Sequence, residues 1–244
     1  MSKIRFTEPN REILARRDSI INDLTRLVDP AGLITSTDEC RAYETDALTA
    51  YRKMPLAVVL PKTTEEVSAV LKYCHDTGVK GVPRGAGTSL AGGAIPSEDA
   101  VVLGLSKMNR VLAVNYDDRF IRVEAGVTNL SVTAVVAENG FFYAPDPSSQ
   151  LACTIGGNIA NNSGGAHGLK YGVTPNNLLG VRMVLIDGSI IDLGGDYLDS
   201  AGLDLLGLVV GSEGQLGIVT EATLRILKSA EGARPVLFGF PSCE

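Results

Sequence analysis

Residues 154–165 read Thr-Ile-Gly-Gly-Asn-Ile-Ala-Asn-Asn-Ser-Gly-Gly, so that two Gly-Gly pairs stand eight residues apart. The residues between the pairs are small or carry amide side chains. Core packing does not explain this composition, because buried amides need hydrogen-bond partners and glycine contributes no side chain to a core. A polar, planar ligand close to the backbone would supply those partners. The stretch therefore predicts a binding site.

Glycine is also concentrated on either side of this stretch. Residues 81–94 and 202–217 hold five glycines each, and residues 156–172 hold six of the 27 in the chain. Glycine lets a backbone approach another group closely. Three clusters in an otherwise apolar chain predict that three backbone segments approach one ligand.

The composition is typical of a folded protein and excludes several classes. The chain has 244 residues, 45% of them hydrophobic and 20% charged, with a formal net charge of −6 at pH 7. Nucleic-acid binding needs a basic surface, and disordered chains carry fewer apolar residues. No apolar run approaches the roughly 20 residues of a membrane-spanning helix, and the charged residues 1–17 predict no signal peptide. Four cysteines without paired spacing and two histidines predict a cytoplasmic protein with no metal site.

The first 54 residues are predicted to be a helical segment and a connector. Apolar positions recur at helical spacing over residues 9–28, and Asp29-Pro30 closes the segment. Residues 31–54 are polar and irregular, which predicts a connector to the main domain over residues 55–230.

The main domain is predicted to begin with a small βαβ-type subdomain over residues 55–105. The apolar run at residues 57–60 predicts a buried strand, and residues 80–83 are predicted to be a second strand. Between them, Thr63 opens a capping box and Gly78 stands where a helix C-cap belongs.

Residues 106–230 predict a larger mixed or antiparallel sheet with flanking helices, and the fold class is α+β. A helix is predicted over residues 128–138, ending at Gly140, and Asp187-Gly188 predicts a hairpin turn. Residues 217–227 alternate, which predicts a strand with two distinct faces. The other predicted strands are residues 101–105, 111–114, 120–124, 181–186 and 190–193.

The first glycine cluster is a candidate phosphate loop. Residues 83–93 read Pro-Arg-Gly-Ala-Gly-Thr-Ser-Leu-Ala-Gly-Gly and follow a predicted strand directly. Small residues leave backbone N–H groups unshielded, and Thr88 and Ser89 add hydroxyls, so the turn can bind a phosphate through backbone dipoles. It is neither a Walker A loop nor a dinucleotide GxGxxG fingerprint. A tight structural turn is the alternative interpretation.

The third cluster leads into a strand. Residues 211–220 read Gly-Ser-Glu-Gly-Gln-Leu-Gly-Ile-Val-Thr, and backbone groups at such a strand edge can pair with a heterocycle. Glu213 could contact the ligand or brace the loop, and bracing is the favoured hypothesis.

Taken in order, residues 84–89, 145–149, 154–165, 171–172 and 211–220 resemble the FAD-binding domain of the vanillyl-alcohol oxidase/PCMH flavoprotein superfamily. Over roughly residues 40–244 the chain is similar to the group of glycolate oxidase flavin subunits and of D-lactate and D-2-hydroxyglutarate dehydrogenases. The resemblance implies a PCMH-type FAD-binding fold.

The resemblance also implies which backbone segments bind FAD. Residues 84–89 would hold the diphosphate, the Gly-Gly stretch would line the diphosphate and the isoalloxazine, and the start of the last strand would lie against the adenosine or ribityl part. The implied cofactor-binding residues are Arg84, Gly85, Ala86, Gly87, Thr88, Ser89, Pro145, Ser148, Gly156, Gly157, Asn158, Ser163, Gly164, Gly165, Tyr171, Gly217, Ile218 and Val219.

The departures from the family pattern predict a non-covalent flavin. Relatives with covalent flavin carry a histidine in the diphosphate loop, where this chain has Ala86 and Thr88. No histidine lies between His75 and His167. Cys153 adjoins the second cluster and offers a minor route to covalent attachment.

A cap domain follows the flavin domain in this family and supplies the substrate-binding groups. Residues 231–244 are expected to be the start of that cap, with residues 238–244 as its first strand, so that the sequence is a fragment and carries no catalytic residue of its own. His167 is a candidate general base, although a structural or flavin-contacting role is favoured. Arg84 could approach the diphosphate or pair with a surface carboxylate, and both hypotheses stay open.

The implied activity is oxidation of a small 2-hydroxy acid to a 2-oxo acid, with hydride transfer to flavin N5. Electrons would leave to a quinone, another flavoprotein or an iron–sulfur subunit, and a partner could hold the protein at a membrane. One alternative is a non-catalytic flavin-binding module that works only in a complex. Another is a nucleotide enzyme with a phosphate loop for ATP, which the missing lysine after Gly87 disfavours.

Overall fold

The computed structural model describes residues 7–197, 202–232 and 234–242. The α-helices of these residues are α1 (Arg11–Ala15), α2 (Arg17–Leu27), α3 (Thr37–Cys40), α4 (Thr64–Thr77), α5 (Asn129–Val136), α6 (Ile155–Asn161), α7 (Gly168–Tyr171) and α8 (Leu205–Val209). The strands are β1 (Leu33–Ile34), β2 (Ala57–Val59), β3 (Lys80–Arg84), β4 (Ala100–Gly104), β5 (Val111–Asn115), β6 (Phe120–Glu124), β7 (Phe141–Phe142), β8 (Leu178–Val184), β9 (Ile190–Gly194), β10 (Ile218–Arg225) and β11 (Leu227–Lys228). Together they form the mixed α+β architecture that the sequence predicts.

The N-terminal segment is two helices rather than the single helix predicted over residues 9–28. Asn10 caps α1 by accepting a hydrogen bond from the Glu12 N–H at 2.9 Å. The backbone leaves helical geometry at Arg16, with φ −96° and ψ 10°, and α2 begins at the next residue. Ile20 and Leu24 are fully buried, so α2 is held by its apolar face.

The first sheet has the strand order β1-β2-β4-β3, with β2 and β3 both parallel to the central β4. Helix α4 connects β2 to β3, as the βαβ pattern predicts. At the N-terminus of α4 the Thr63 hydroxyl accepts the Glu66 N–H, and at its C-terminus Gly78 ends the helix with a left-handed φ of 72°. The prediction that residues 31–54 are an irregular connector is wrong, because β1 within them pairs with β2 and extends the sheet.

The second sheet has five antiparallel strands in the order β5-β6-β10-β8-β9. The predicted hairpin forms between β8 and β9, with Gly188 at φ 85°. The strand predicted over residues 217–227 forms as β10, but both of its faces are largely buried. Val219 and Thr223, which share a face with Glu221 and Arg225, are only 8% and 6% exposed.

The two sheets pack against each other through helix α4. Val184 and Ile218 of the second sheet join the apolar cluster that also contains residues of α2 and α4. The buried hydroxyl of Thr64 donates to that of Thr220 at 3.0 Å, and the Ser68 hydroxyl donates to the Gly188 carbonyl at 2.5 Å. These contacts fix the end of β3 opposite the start of β10.

The strand predicted over residues 238–244 is not seen in its described part, residues 238–242. Residues 234–242 have no helix or strand, and four large apolar side chains among them are exposed. These residues are Val236, Leu237, Phe238 and Phe240.

Asp99 ties the N-terminal helices to the first sheet and makes stability depend on acid pH. Its carboxylate, 1% exposed, accepts the Asn10 N–H at 2.9 Å and lies 2.9 Å from the Lys80 ammonium. Burial alone would raise the pKa of Asp99, but hydrogen bonds from Ser97, Asn10 and Lys80 outweigh it and lower the pKa to about 2. The folded state therefore prefers the ionised carboxylate.

We expect Asp99→Asn to cost about 2 kcal/mol of unfolding free energy at pH 7. Because the folded pKa is depressed, this contribution is fully present above the unfolded value of 3.8 and disappears as the pH falls through about 2. Urea unfolding of both proteins from pH 7 to pH 2 measures the difference. Asp117→Asn, in an exposed turn, is the control. A deficit that stays constant down to pH 2 would contradict the assignment.

Candidate functional site

The three glycine clusters meet at one cleft between the two sheets. The cleft has about 1090 Å³ of empty space, counted to its open mouth. Its walls are the loop after β3, the segment leading into α6, and the loop before β10. The sequence-predicted residues that line it are Arg84, Gly85, Ala86, Gly87, Thr88, Ser89, Gly156, Gly157, Asn158, Ser163, Gly217, Ile218 and Val219.

Five predicted residues do not line the cleft, namely Pro145, Ser148, Gly164, Gly165 and Tyr171. A Cβ at either of the two glycines in this set would overlap a neighbour, the Val173 side chain for one and the Asp146 backbone for the other. These glycines therefore permit close packing of the protein on itself. Ser149, the neighbour of a predicted residue, lies in the lining instead.

Several lining residues are absent from the implied cofactor-binding set, namely Leu105, Thr154, Ala160, Val209 and Ser212. All but Leu105 lie within the glycine-rich stretches at residues 154–165 and 202–217, but nothing local distinguishes lining residues from buried ones.

Arg84 is a structural anchor beneath the loop of residues 85–89. It is 8% exposed, and its guanidinium donates to the Thr45 carbonyl at 2.7 Å and lies over the Tyr43 ring at 5.6 Å from the centroid. Burial lowers the pKa of Arg84. The guanidinium thus binds the protein's own backbone, and no carboxylate within the described residues forms an ion pair with it.

The loop itself is held through its carbonyls and leaves its donors free. The Gly87 carbonyl accepts the Ala47 N–H at 2.9 Å. Glycine is needed at this position because its φ is left-handed, at 71°, and because a Cβ would overlap the Arg84 guanidinium. Within the described part of the chain, the backbone N–H groups of Ala86, Gly87, Thr88 and Ser89 donate to no protein acceptor. Consecutive unpaired N–H groups on a tight loop form an anion-binding concavity.

The first Gly-Gly pair begins a short helix, α6, which the sequence did not predict. Thr154 caps it by accepting the Gly157 N–H at 3.4 Å, and the Gly156 N–H donates to the Ala125 carbonyl at 2.8 Å. A Cβ on Gly156 would stand 2.9 Å from the Ala125 Cβ. The N–H groups at this end of the helix are therefore satisfied within the protein, and Gly156 serves close packing.

Asn158 brings a buried, unused donor to the cleft. It is 1% exposed, and its Nδ2 atom has no hydrogen-bond partner among the described residues. Leaving a buried amide donor unpaired costs free energy, so such atoms commonly mark a missing ligand or water. Because Asn158 lines the cleft, this donor is available to a bound molecule.

His167 stands outside the cleft lining and is engaged by its neighbours. Its Nδ1 lies 3.1 Å from the Asp146 carboxylate, and its backbone N–H donates to the same carboxylate at 3.0 Å. The imidazole contacts the Phe142 and Tyr171 rings edge to face. This arrangement orders the loop after the second Gly-Gly pair, which agrees with a structural role.

Glu213 braces the third wall of the cleft. Its backbone takes a left-handed φ of 53°, and its N–H donates to the Ala160 carbonyl at 2.9 Å, joining the loop before β10 to helix α6. Its carboxylate approaches Gly93, where a Cβ would stand 3.2 Å away. Glu213 thereby links all three glycine clusters.

The described residues contain no group of three or more histidine, cysteine, aspartate or glutamate side chains that could hold a metal ion. None of their helices has the length and apolar character needed to span a membrane.

Comparison with known proteins gives two close relatives and a structural neighbour. The chain is 47% identical over 228 residues to "Glycolate oxidase subunit GlcD" of Escherichia coli K12, covering 93% of this chain and 46% of the relative. It is 38% identical over 228 residues to the D-lactate dehydrogenase of Archaeoglobus fulgidus, covering 93% and 50%. The chain thus spans about half the length of the relatives it matches. A solved structure of alkyldihydroxyacetonephosphate synthase superposes with a TM-score of 0.79 at 22% identity, over 94% of this chain and 43% of that one, and shows a common fold.

A family model described as "FAD binding domain" matches residues 55–194. The matched range contains two of the cleft's three walls, the loop after β3 and the segment leading into α6. It covers more than half of the chain, and the chain therefore belongs to this FAD-binding family, with FAD as its cofactor.

Proposed function

We propose that the cleft binds FAD non-covalently and that the complete protein uses it to oxidise a small 2-hydroxy acid to a 2-oxo acid. The observation that carries the proposal is the run of unpaired N–H groups at residues 86–89, set in a cleft of the matched FAD-binding domain. The names of relatives, a glycolate oxidase subunit, a D-lactate dehydrogenase and a D-2-hydroxyglutarate dehydrogenase, support the substrate class.

The residues of the cleft fit FAD in charge and shape. Backbone N–H groups can neutralise a diphosphate without lysine or arginine, which suits a protein of net charge −6. The unpaired Asn158 amide offers a further donor beside them. Leu105, Val209 and Ile218 give apolar surface on which a flat ring can pack away from water.

These contacts assign separate roles to FAD and to the residues of the cleft. Bound FAD supplies a hydride acceptor at N5 for the hydrogen of the hydroxyl-bearing carbon. The loop of residues 85–89 holds the diphosphate, Arg84 fixes that loop, and the apolar lining excludes water. We assign the substrate contacts to the cap domain that the family resemblance implies, because the titratable side chains of the described lining are only Arg84, Cys153 and Glu213.

The partners and location are part of the same proposal. Electrons would pass to an accepting flavoprotein or iron–sulfur subunit, which the word "subunit" in the name of the Escherichia coli relative supports. The absence of paired cysteine spacing supports a reducing, cytoplasmic setting. A partner subunit would then hold the protein at a membrane.

Spectroscopy of the purified chain tests the proposal in two steps. In the first step, we expect the purified chain to show flavin absorbance, either as isolated or after FAD is added. In the second step, we expect the complete protein to lose its flavin absorbance when glycolate or D-lactate is added anaerobically. Failure to bind FAD would refute the proposed site. Binding without bleaching by any 2-hydroxy acid would instead favour a flavin-binding module that acts only within a complex.

The unpaired amide of Asn158 gives a sharper prediction. We expect Asn158→Leu, which keeps the side-chain volume, to weaken FAD binding about tenfold, a loss of roughly 1.4 kcal/mol. The same variant should unfold no earlier than wild type in the absence of FAD, because it removes an unsatisfied donor. Flavin fluorescence titration and thermal unfolding measure the two effects.

Asn139→Leu is the matched control, since Asn139 is exposed and donates to the Tyr116 hydroxyl at 2.8 Å. This control should leave FAD affinity unchanged. If Asn158→Leu lowered the stability of the FAD-free chain as much as its affinity, Asn158 would be a structural residue.

A further inference from the structure

We propose that the Cys153 thiol is a modification site covered by the cofactor, so that soft electrophiles reach it only in the FAD-free protein and the adduct then excludes FAD. The inference rests on the proposed function, because it takes the cleft as the FAD site.

The backbone around Cys153 holds the residue in the cleft wall. The Cys153 N–H donates to the Ser149 carbonyl at 2.8 Å, and its carbonyl accepts the Asn129 N–H at 2.9 Å. The next residue, Thr154, is the N-cap of α6. Cys153 is 4% exposed and lines the cleft. These hydrogen bonds fix the backbone of Cys153 in the wall of the cleft, at the turn that starts α6.

An unpaired polar group in the same cleft indicates that a ligand completes this wall. The Asn158 amide donor is buried without a partner among the described residues, and Asn158 lines the cleft together with Cys153. Such a donor commonly marks the place of a bound ligand. Cys153 therefore shares the cleft with a group that the protein leaves for a ligand.

The other described cysteines face apolar cores. Cys74 lies in the cluster around α2 and α4, and burial raises the pKa of its thiol to about 12. Cys40 packs against Val58 and Val102, and its thiol points to the Ile34 carbonyl at 3.7 Å. Neither lines the cleft. They are internal controls for global unfolding, whereas Cys243 lies outside the described residues.

The chemistry of modification needs no oxidant. With N-ethylmaleimide, the Cys153 sulfur forms a bond to one alkene carbon, the C=C becomes a single bond, and the thiol proton ends on the neighbouring carbon. The reactive form is the thiolate, so the rate reports access and ionisation together. The resulting imide ring would occupy the cleft beside Gly157 and Asn158, which are predicted to contact FAD.

Peptide mass mapping after N-ethylmaleimide treatment tests the proposal on the FAD-loaded chain and on the chain stripped of flavin. We expect Cys153 to be labelled at least tenfold faster in the stripped protein, and faster there than Cys40 or Cys74. Labelled protein should fail to regain flavin absorbance on addition of FAD. Treatment of the Cys153→Ala variant with N-ethylmaleimide should cause no measurable change in FAD binding.

Two results would overturn the inference. One is labelling of Cys153 at the same rate with and without FAD, or no faster than Cys40 and Cys74 in the stripped protein. The other is normal FAD binding by fully labelled protein. The proposed function has its own test, because untreated stripped protein that does not bind FAD contradicts the site itself, whereas binding both before and after labelling contradicts only the role of Cys153.

Discussion

Replacing Gly165 with alanine is expected to cost about 3 kcal/mol of folding free energy, at the upper end of overpacking effects. An added Cβ would overlap the Asp146 carbonyl oxygen and stand 2.5 Å from both its carbonyl carbon and its Oδ1. Asp146 cannot move aside easily. Its carboxylate is held by the backbone N–H and the imidazole of His167, and prolines 145 and 147 restrict the backbone on either side.

For a chain of this length such a cost lowers the thermal midpoint by roughly 6–12 °C. The loop that Gly165 anchors continues from Ser163, which lines the cleft, so FAD affinity should fall as well. Thermal unfolding with and without FAD measures both effects.

Gly168→Ala in the same loop is the matched control. A Cβ there would meet only the Val173 side chain, at an ordinary 3.7 Å. It begins helix α7, where alanine is a better helix former than glycine. A Gly165→Ala midpoint within about 2 °C of this control would show that the packing against Asp146 is not as tight as described.

The sequence predicts features whose cause is local. The cap at Thr63, the left-handed ends at Gly78 and Gly140, and the hairpin turn at Gly188 all form as predicted. In each case the preference belongs to a few adjacent residues, so no tertiary contact is needed to recognise it.

Features that depend on distant contacts were missed or misassigned. Strand β1 is two residues long, and only pairing with β2 makes it a strand. Both faces of β10 are largely buried because its residues pack into two apolar clusters, with Ile218 in one and Val219 in the other, which its own alternation cannot reveal. Helix α6 contains a Gly-Gly pair that opposes helix formation, and the Thr154 cap and packing on Ala125 outweigh that preference.

The same distinction applies to the cleft. The glycine clusters locate the three walls of the cleft, because segments whose backbone approaches another group closely are rich in glycine. They do not separate glycines that face a ligand from glycines that face the protein, and Gly164 and Gly165 belong to the second kind. Only a structure distinguishes the two kinds, since in both of them the missing Cβ lets another group approach the backbone closely.

Arg84 was also assigned from its place in a phosphate-loop pattern, and its observed contacts lead to a different expectation. Arg84→Ala should cost about 2–3 kcal/mol of stability, because the Thr45 carbonyl loses a charged donor and the Tyr43 ring loses its stacking partner. FAD binding should weaken at least tenfold, about 1.4 kcal/mol, since an unanchored loop must be ordered before its N–H groups can hold an anion. Arg26→Ala, at a 79% exposed side chain, should change stability by less than about 0.5 kcal/mol.

Arg84→Lys separates the two ways in which Arg84 could act. If its charge attracts the diphosphate, lysine should retain most of the FAD affinity, and that affinity should fall with salt. If Arg84 acts by positioning the loop, lysine should resemble alanine, because an ammonium has neither the planar fork nor the flat face that Tyr43 and the Gly87 backbone contact. We expect the second result, with little salt dependence, since Arg84 is only 8% exposed and its guanidinium is held by the Thr45 carbonyl and the Tyr43 ring. Isothermal titration with FAD at low and high salt decides between them, and full affinity in Arg84→Lys would restore the electrostatic role.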